Sequence, residues 1–108
     1  MAATLQDFKA ELFRTLANPV RIRIIEVLRV AGSVTVGEIQ HQVGVESSNV
    51  SQHLGALRAR GLVETRREGT SIWYSIRDPR VFDILDAARA IFESQLAAQA
   101  QLVGGATR

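Results

Sequence analysis

The sequence predicts a mainly α fold carrying one small β-hairpin (α+β), with elements in the order helix, helix, helix, helix, strand, strand, helix. Three observations lead there. Apolar residues recur at helical spacing along most of the chain, and the period drops to two only across residues 62–76. Asn-Pro, Asp-Pro and isolated glycines fall where helices should start and stop. The 108 residues are enough for one domain with one modest core. That domain is expected to span residues 1–103, leaving 104–108 (Gly-Gly-Ala-Thr-Arg) as a disordered tail.

Each element has its own signal. Thr4 stands where a cap is wanted for a first helix, whose apolar positions are Leu5, Phe8, Leu12, Phe13 and Leu16. Asn18-Pro19 reads as an N-cap followed by proline at the first helical position, where a missing N–H costs nothing. The second helix shows Val20, Ile24, Val27 and Leu28 on one side, widened by Ile22 and Ile25, and Gly32 ends it. Thr35 and Glu38 have capping-box spacing before a short third helix with Val36, Ile39 and Val43 inward. Gly44 stops that helix.

The fourth helix spans about residues 47–60. At about 100° per residue, Val50, Leu54 and Leu57 lie within about 60° of one another and make a core stripe. Ser48 and Gln52 fall nearly opposite, Asn49 and Ser51 on the flanks, and Gly55, Ala56 and Ala59 extend the outer face. Gly61 sits at a left-handed C-cap position from which Leu62 can touch Leu57. Residues 62–67 and 70–76 then read as two strands joined at Glu68-Gly69. Ile72, Tyr74 and Ile76 alternate with Ser71, Trp73 and Ser75, so Trp73 points opposite Ile72 and Tyr74, either packing under the hairpin or lining an interface. Asp78-Pro79 opens the last helix, with Val81, Phe82, Ile84, Leu85, Ala88, Ile91, Phe92 and Leu96 apolar.

Composition bounds the function. No apolar run approaches the roughly 18 residues of a membrane span, and no signal-peptide pattern opens the chain. A cytoplasmic location and no membrane partner are expected. The chain has no cysteine, hence no disulfide and no thiolate metal site. The net charge of +2 is unevenly placed: residues 14–80 hold ten arginines against six acids, whereas both ends are slightly acidic. A basic middle points to a polyanion partner for that part of the chain.

Two short helices joined through Gly44-Val45, with Ile39, Val43, Val45 and Val50 around the turn, form a helix-turn-helix candidate. In such a unit the second helix enters the DNA major groove with its N-terminal residues toward base edges. Short polar side chains there reach bases and phosphates without holding the backbone off the groove. A helix N-terminus also attracts phosphate. The hairpin with Arg66, Arg67 and Thr70 near its tip then reads as a wing over the phosphates, and Arg58 and Arg60 add backbone contacts. Four such arginines per subunit of a dimer would neutralise about eight phosphates, for a salt slope of about −7.

The stretch from about residue 8 to residue 76 resembles the ArsR/SmtB family of bacterial winged helix-turn-helix repressors. The resemblance rests on "FRTLANPVRIRIIEVL" and "SSNVSQHLGALRARGLVETRREGTSIWYSI". It implies a homodimer built from the first and last helices, an inverted-repeat operator in double-stranded DNA, and repression relieved by an effector. It implies base reading by Ser47, Ser48, Asn49, Ser51 and Gln52, with His53 and Arg58 beside the backbone-contacting positions. Metal-sensing members use cysteines in the helix before the turn, or Asp and His pairs in the last helix. Here residues 38–42 read Glu-Ile-Gln-His-Gln, and the last helix has Asp83 and Asp86 but no histidine. No metal and no other cofactor is expected. An effector would be an unknown small molecule.

Every feature also has a plainer reading. The polar cluster at 47–52 could be a solvated helix start, and Arg66 and Arg67 could be charges that protect an edge strand. His53, at the rim of the core stripe, suits a packed or capping role as well as a phosphate contact. His41 is alone on its helix, and Asp83 with Asp86 supplies too few oxygens for a hard cation. The apolar residues Leu5, Phe8, Leu12, Phe82, Leu85, Ile91, Phe92 and Leu96 exceed what a small core can cover and point to a twofold interface. A winged-helix scaffold without DNA reading is the alternative function. Aromatics or aliphatics would be expected on its fourth helix in place of serine and glutamine. Two separated histidines and no clustered carboxylates leave no nucleophile–base pair for an enzyme.

Overall fold

The computed structural model describes residues 3–44 and 47–106, apart from the side chains of residues 47, 48 and 104–106. The elements run α1 (Leu5–Leu16), α2 (Pro19–Ala31), β1 (Ser33–Thr35), α3 (Val36–Val43), α4 (Ser47–Ala59), β2 (Val63–Glu68), β3 (Ser71–Ile76) and α5 (Arg80–Ala106). Residues Met1–Asp78 form one compact unit and Pro79–Arg108 a second. The first unit holds α1 to β3 and the second holds α5.

Local chemistry sets the helix starts. Thr4 caps α1 reciprocally with Asp7: each backbone N–H reaches the other's side-chain oxygen at 3.1 Å. Asn18 caps α2 with one oxygen that accepts from the N–H of Val20 at 2.9 Å and of Arg21 at 3.2 Å. At α3 only half of the expected capping box forms. Thr35 accepts from the Glu38 N–H at 3.4 Å, whereas the Glu38 carboxylate instead accepts from Gln42 at 3.0 Å.

The core lies among α2, α3, α4 and the sheet. Ile24, Ile25 and Leu28 of α2, Ile39 of α3, and Val50, Leu54 and Leu57 of α4 are 0–1% exposed. Thus the predicted stripe of α4 is the one that is buried. On α2 the core side turns toward Ile25 and Leu28, while Val20 and Val27 are half-buried.

The sheet holds a strand that the sequence did not suggest. β1 lies on the outer edge in the order β1-β3-β2, antiparallel to β3, with Val34 opposite Tyr74 and Thr35 opposite Trp73. Three residues are too few to display a period of two, and their partner lies about forty residues away. Only the tertiary fold could reveal the pairing. β2 and β3 form the expected hairpin, but its loop is Gly69-Thr70, one residue beyond the predicted Glu68-Gly69, because Glu68 still pairs with Ser71. Gly69 takes φ 59, and among the described residues only glycines have positive φ, which is the pattern of a turn with glycine at its first central position.

α5 is the longest helix of the chain's described residues. The helix continues through Gly104 and Gly105 to Ala106. Two glycines are poor helix formers, but here they extend a helix that is already long, so no nucleation cost falls on them.

Candidate nucleic-acid interface

The α3–α4 unit is built around Gly44. Its φ of 77 and ψ of 26 place it in the left-handed region, and its N–H caps α3 on the Gln40 carbonyl at 2.8 Å. A residue with a Cβ is disfavoured there. Val45, assigned to the turn's apolar lining, lies outside the described residues. The far end of α4 closes in a Schellman motif: the Leu62 N–H reaches the Leu57 carbonyl at 3.0 Å and the Gly61 N–H the Arg58 carbonyl at 2.9 Å. Leu62 and Leu57 are both buried. Gly44 thus ends α3 and Gly61 ends α4.

Its outer face is the predicted polar one. Asn49, Ser51 and Gln52 are exposed, opposite the buried Val50, Leu54 and Leu57. The backbone of Ser47 and Ser48 begins the helix; their side chains lie outside the described residues. A Cβ added at Gly55 would meet nothing within 4 Å, so no neighbouring helix requires a glycine there. The small residues Gly55 and Ala59 leave that face open to an outside body.

The arginines divide into two kinds. Arg58 and Arg67 are exposed and make no ion pair among the described residues. Arg60 is engaged: it pairs with Glu11 of α1 at 2.8 Å. Arg66 lies 3.5 Å from Glu68 on the same strand. Sequence grouped Arg66 with Arg67, but strand alternation separates them. Arg67 stands opposite Ile72 on the face that also carries Val63 and Tyr74, whereas Arg66 stands opposite a half-buried Trp73 on the other face. Thr70 is exposed at the loop.

His53 is also engaged. The half-buried ring accepts a hydrogen bond at Nδ1 from the Arg21 Nε–H at 3.0 Å. Desolvation, then the Arg21 charge, holds its pKa below the ordinary 6.5. Sequence reasoning missed Arg21 and Glu11. Their contacts with His53 and Arg60 span 32 and 49 residues, and no local spacing rule reaches so far.

Comparison with known proteins agrees with this geometry. The helix-turn-helix domain family matches residues 16–66. The HTH-type transcriptional regulator Rv0081 of Mycobacterium tuberculosis is 49% identical over 81% of this chain and 76% of its own length. The crystal structure of Rv0081 superposes with a TM-score of 0.81 at 43% identity, covering 92% of this chain and 99% of that one. A solution structure from Mycobacterium bovis, Mb0332, is described as a homodimeric winged helix-turn-helix DNA-binding domain and a possible ArsR-family transcriptional regulator. It matches with a TM-score of 0.75 at 30% identity over 89% of this chain and 94% of that one. This chain belongs to the ArsR-type winged helix-turn-helix transcriptional regulators. The biofilm growth-associated repressor of Xylella fastidiosa is a further relative, 38% identical over 80% of this chain and 75% of its own length. In this ArsR-type chain the described residues hold no group of three or more His, Cys, Asp or Glu that could bind a metal ion. None of its helices, among those residues, is long and apolar enough to cross a membrane.

Proposed function

We propose that the chain is a homodimeric, sequence-specific repressor that binds an inverted-repeat operator in double-stranded DNA in the cytoplasm. One observation carries this reading. The N-terminal half of α4 keeps Asn49, Ser51 and Gln52 in solvent while its other side is fully buried in the core. A helix so oriented offers hydrogen-bonding groups to base edges without disturbing the fold. Ser47, Ser48, Asn49, Ser51 and Gln52 read bases. Arg58, Arg67 and Thr70 contact phosphates, with Arg66 in a lesser share because Glu68 offsets it. Residues 1–103 serve together as the functional domain.

The exposed apolar side chains of the terminal helices support a dimer. Leu5 and Phe8 of α1 are more than half exposed, as are Ile91, Phe92 and Leu96 of α5; Leu12, Phe82 and Leu85 complete the proposed interface. Mb0332 is described as homodimeric, and the Xylella relative is named a repressor. The polar, arginine-flanked α4 surface disfavours a scaffold that works by protein contact alone. It also has the character of a binding surface and not of a catalytic centre.

A gel-shift titration on the DNA upstream of the protein's own gene, at two salt concentrations, tests the proposal. A sequence-selective shift that weakens with salt supports it. No shift on that DNA or on any inverted repeat overturns it and favours the scaffold. Gln52→Ala should change which bases are preferred while non-specific affinity persists.

A further inference from the structure

Arg21 lies outside the polar face of α4, yet one side chain joins three elements. Its backbone N–H is held by the Asn18 cap at the start of α2. Its Nη1 donates to the Thr15 carbonyl at the end of α1 at 3.1 Å. Its Nε donates to Nδ1 of His53 in α4 at 3.0 Å. Thr15 O is among the last carbonyls of α1, which have no partner within the helix, so a cation is favoured at that spot. The guanidinium has no acceptor and cannot lose its proton. The contact with His53 therefore exists only while Nδ1 carries a lone pair, and the ring is then the neutral Nε2–H tautomer.

We propose that Arg21 is a positioning residue for the recognition helix, anchoring His53 as a neutral acceptor, and that His53 acts through this anchor and not on the DNA. The inference rests on the reading of α4 as the DNA-reading helix. Protonation of His53 would turn Nδ1 into a donor facing a donor and release the anchor. Arg21 is the charged group that faces the ring from α2. Just beyond the end of α4, Arg60 pairs with Glu11 of α1, which Arg14 also contacts. The folded ring's pKa is lowered, so the anchor is complete above the ordinary value of 6.5 and is lost as pH falls through the lowered value.

Isosteres separate the two ends of the ring. His53→Asn keeps an acceptor near the Nδ1 position and never titrates. His53→Gln keeps an N–H near the Nε2 position and loses the anchor. Fluorescence anisotropy on the upstream DNA fragment, from pH 7.5 to 5.5, should show Arg21→Gln and His53→Gln each weakening binding about tenfold, as for one lost charge-assisted hydrogen bond. The double variant should be no weaker than either, and His53→Asn should stay within about twofold of the parent. The parent should lose affinity relative to His53→Asn as pH falls. The proposal is overturned if His53→Asn is as weak as His53→Gln, which would put the ring itself on DNA, or if Arg21→Gln binds like the parent. A thermal melt over the same pH range needs no DNA: the parent should lose more melting temperature than His53→Asn toward pH 5.5. If the parent bound no DNA, the DNA reading would fail while that melt still decided the anchor, and equal melting profiles would overturn it.

Discussion

Replacing Arg67 by alanine removes a wing cation that is exposed and unpaired among the described residues. A phosphate contact from Arg67 occurs twice in a dimer, once per wing. Each neutralised phosphate contributes about 0.9 to the slope of log affinity against log salt, so Arg67→Ala should flatten the slope by about 1.8. Between 50 and 200 mM salt that difference corresponds to about a 12-fold change in the parent-to-variant affinity ratio. Arg66→Ala is the internal control. Its guanidinium is 3.5 Å from the Glu68 carboxylate, so its loss should flatten the slope less. The assay is anisotropy at four or more salt concentrations, on the operator and on a scrambled duplex. The loss should be equal on both duplexes, since phosphates carry no sequence information. An unchanged slope, or a loss confined to the operator, would refute the wing's assignment as a backbone clasp.

Asn18→Ala removes an oxygen that serves two N–H donors and should cost about 1 to 2 kcal/mol in urea unfolding, whereas Asn18→Ser should cost far less; a variant as stable as the parent would show that the cap contributes nothing. Phe8→Ala leaves the monomer core intact, because Phe8 is 54% exposed, but should weaken dimerisation by about 1.5 to 3 kcal/mol if the exposed halves of two rings are buried, a shift readable by sedimentation; an unchanged dimer constant would remove α1 from the interface. Asp7, whose carboxyl the Thr4 backbone N–H and then its hydroxyl hold below the ordinary 3.8, supports the start of α1 fully above that value. The support fades as pH falls through the lowered value, so the Thr4 amide resonance should move in acid in the parent and not in Asp7→Asn.

Much of the fold was legible because its signals are local. A cap is a contact over two or three residues, which is why Asn18-Pro19 and Gly61-Leu62 fell where the sequence put them. The buried stripe of α4 was legible because a helix repeats its faces every turn, and the same repeat placed Asn49, Ser51 and Gln52 outward. The single misplacement in the hairpin, Gly69-Thr70 for Glu68-Gly69, arose because a glycine can occupy either central position of a two-residue loop and only the strand register decides between them.

What the residues alone determined about this protein is therefore a helix-rich chain with a polar-faced fourth helix, an arginine-bearing hairpin and apolar terminal helices. The tertiary structure alone decided that β1 closes the sheet against β3, and that Arg60 and His53 are tied to Glu11 and Arg21. Periodicity reports which side of an element faces inward. It does not report which distant side chain will be waiting there, because that depends on how α1, α2 and α4 pack against one another in three dimensions.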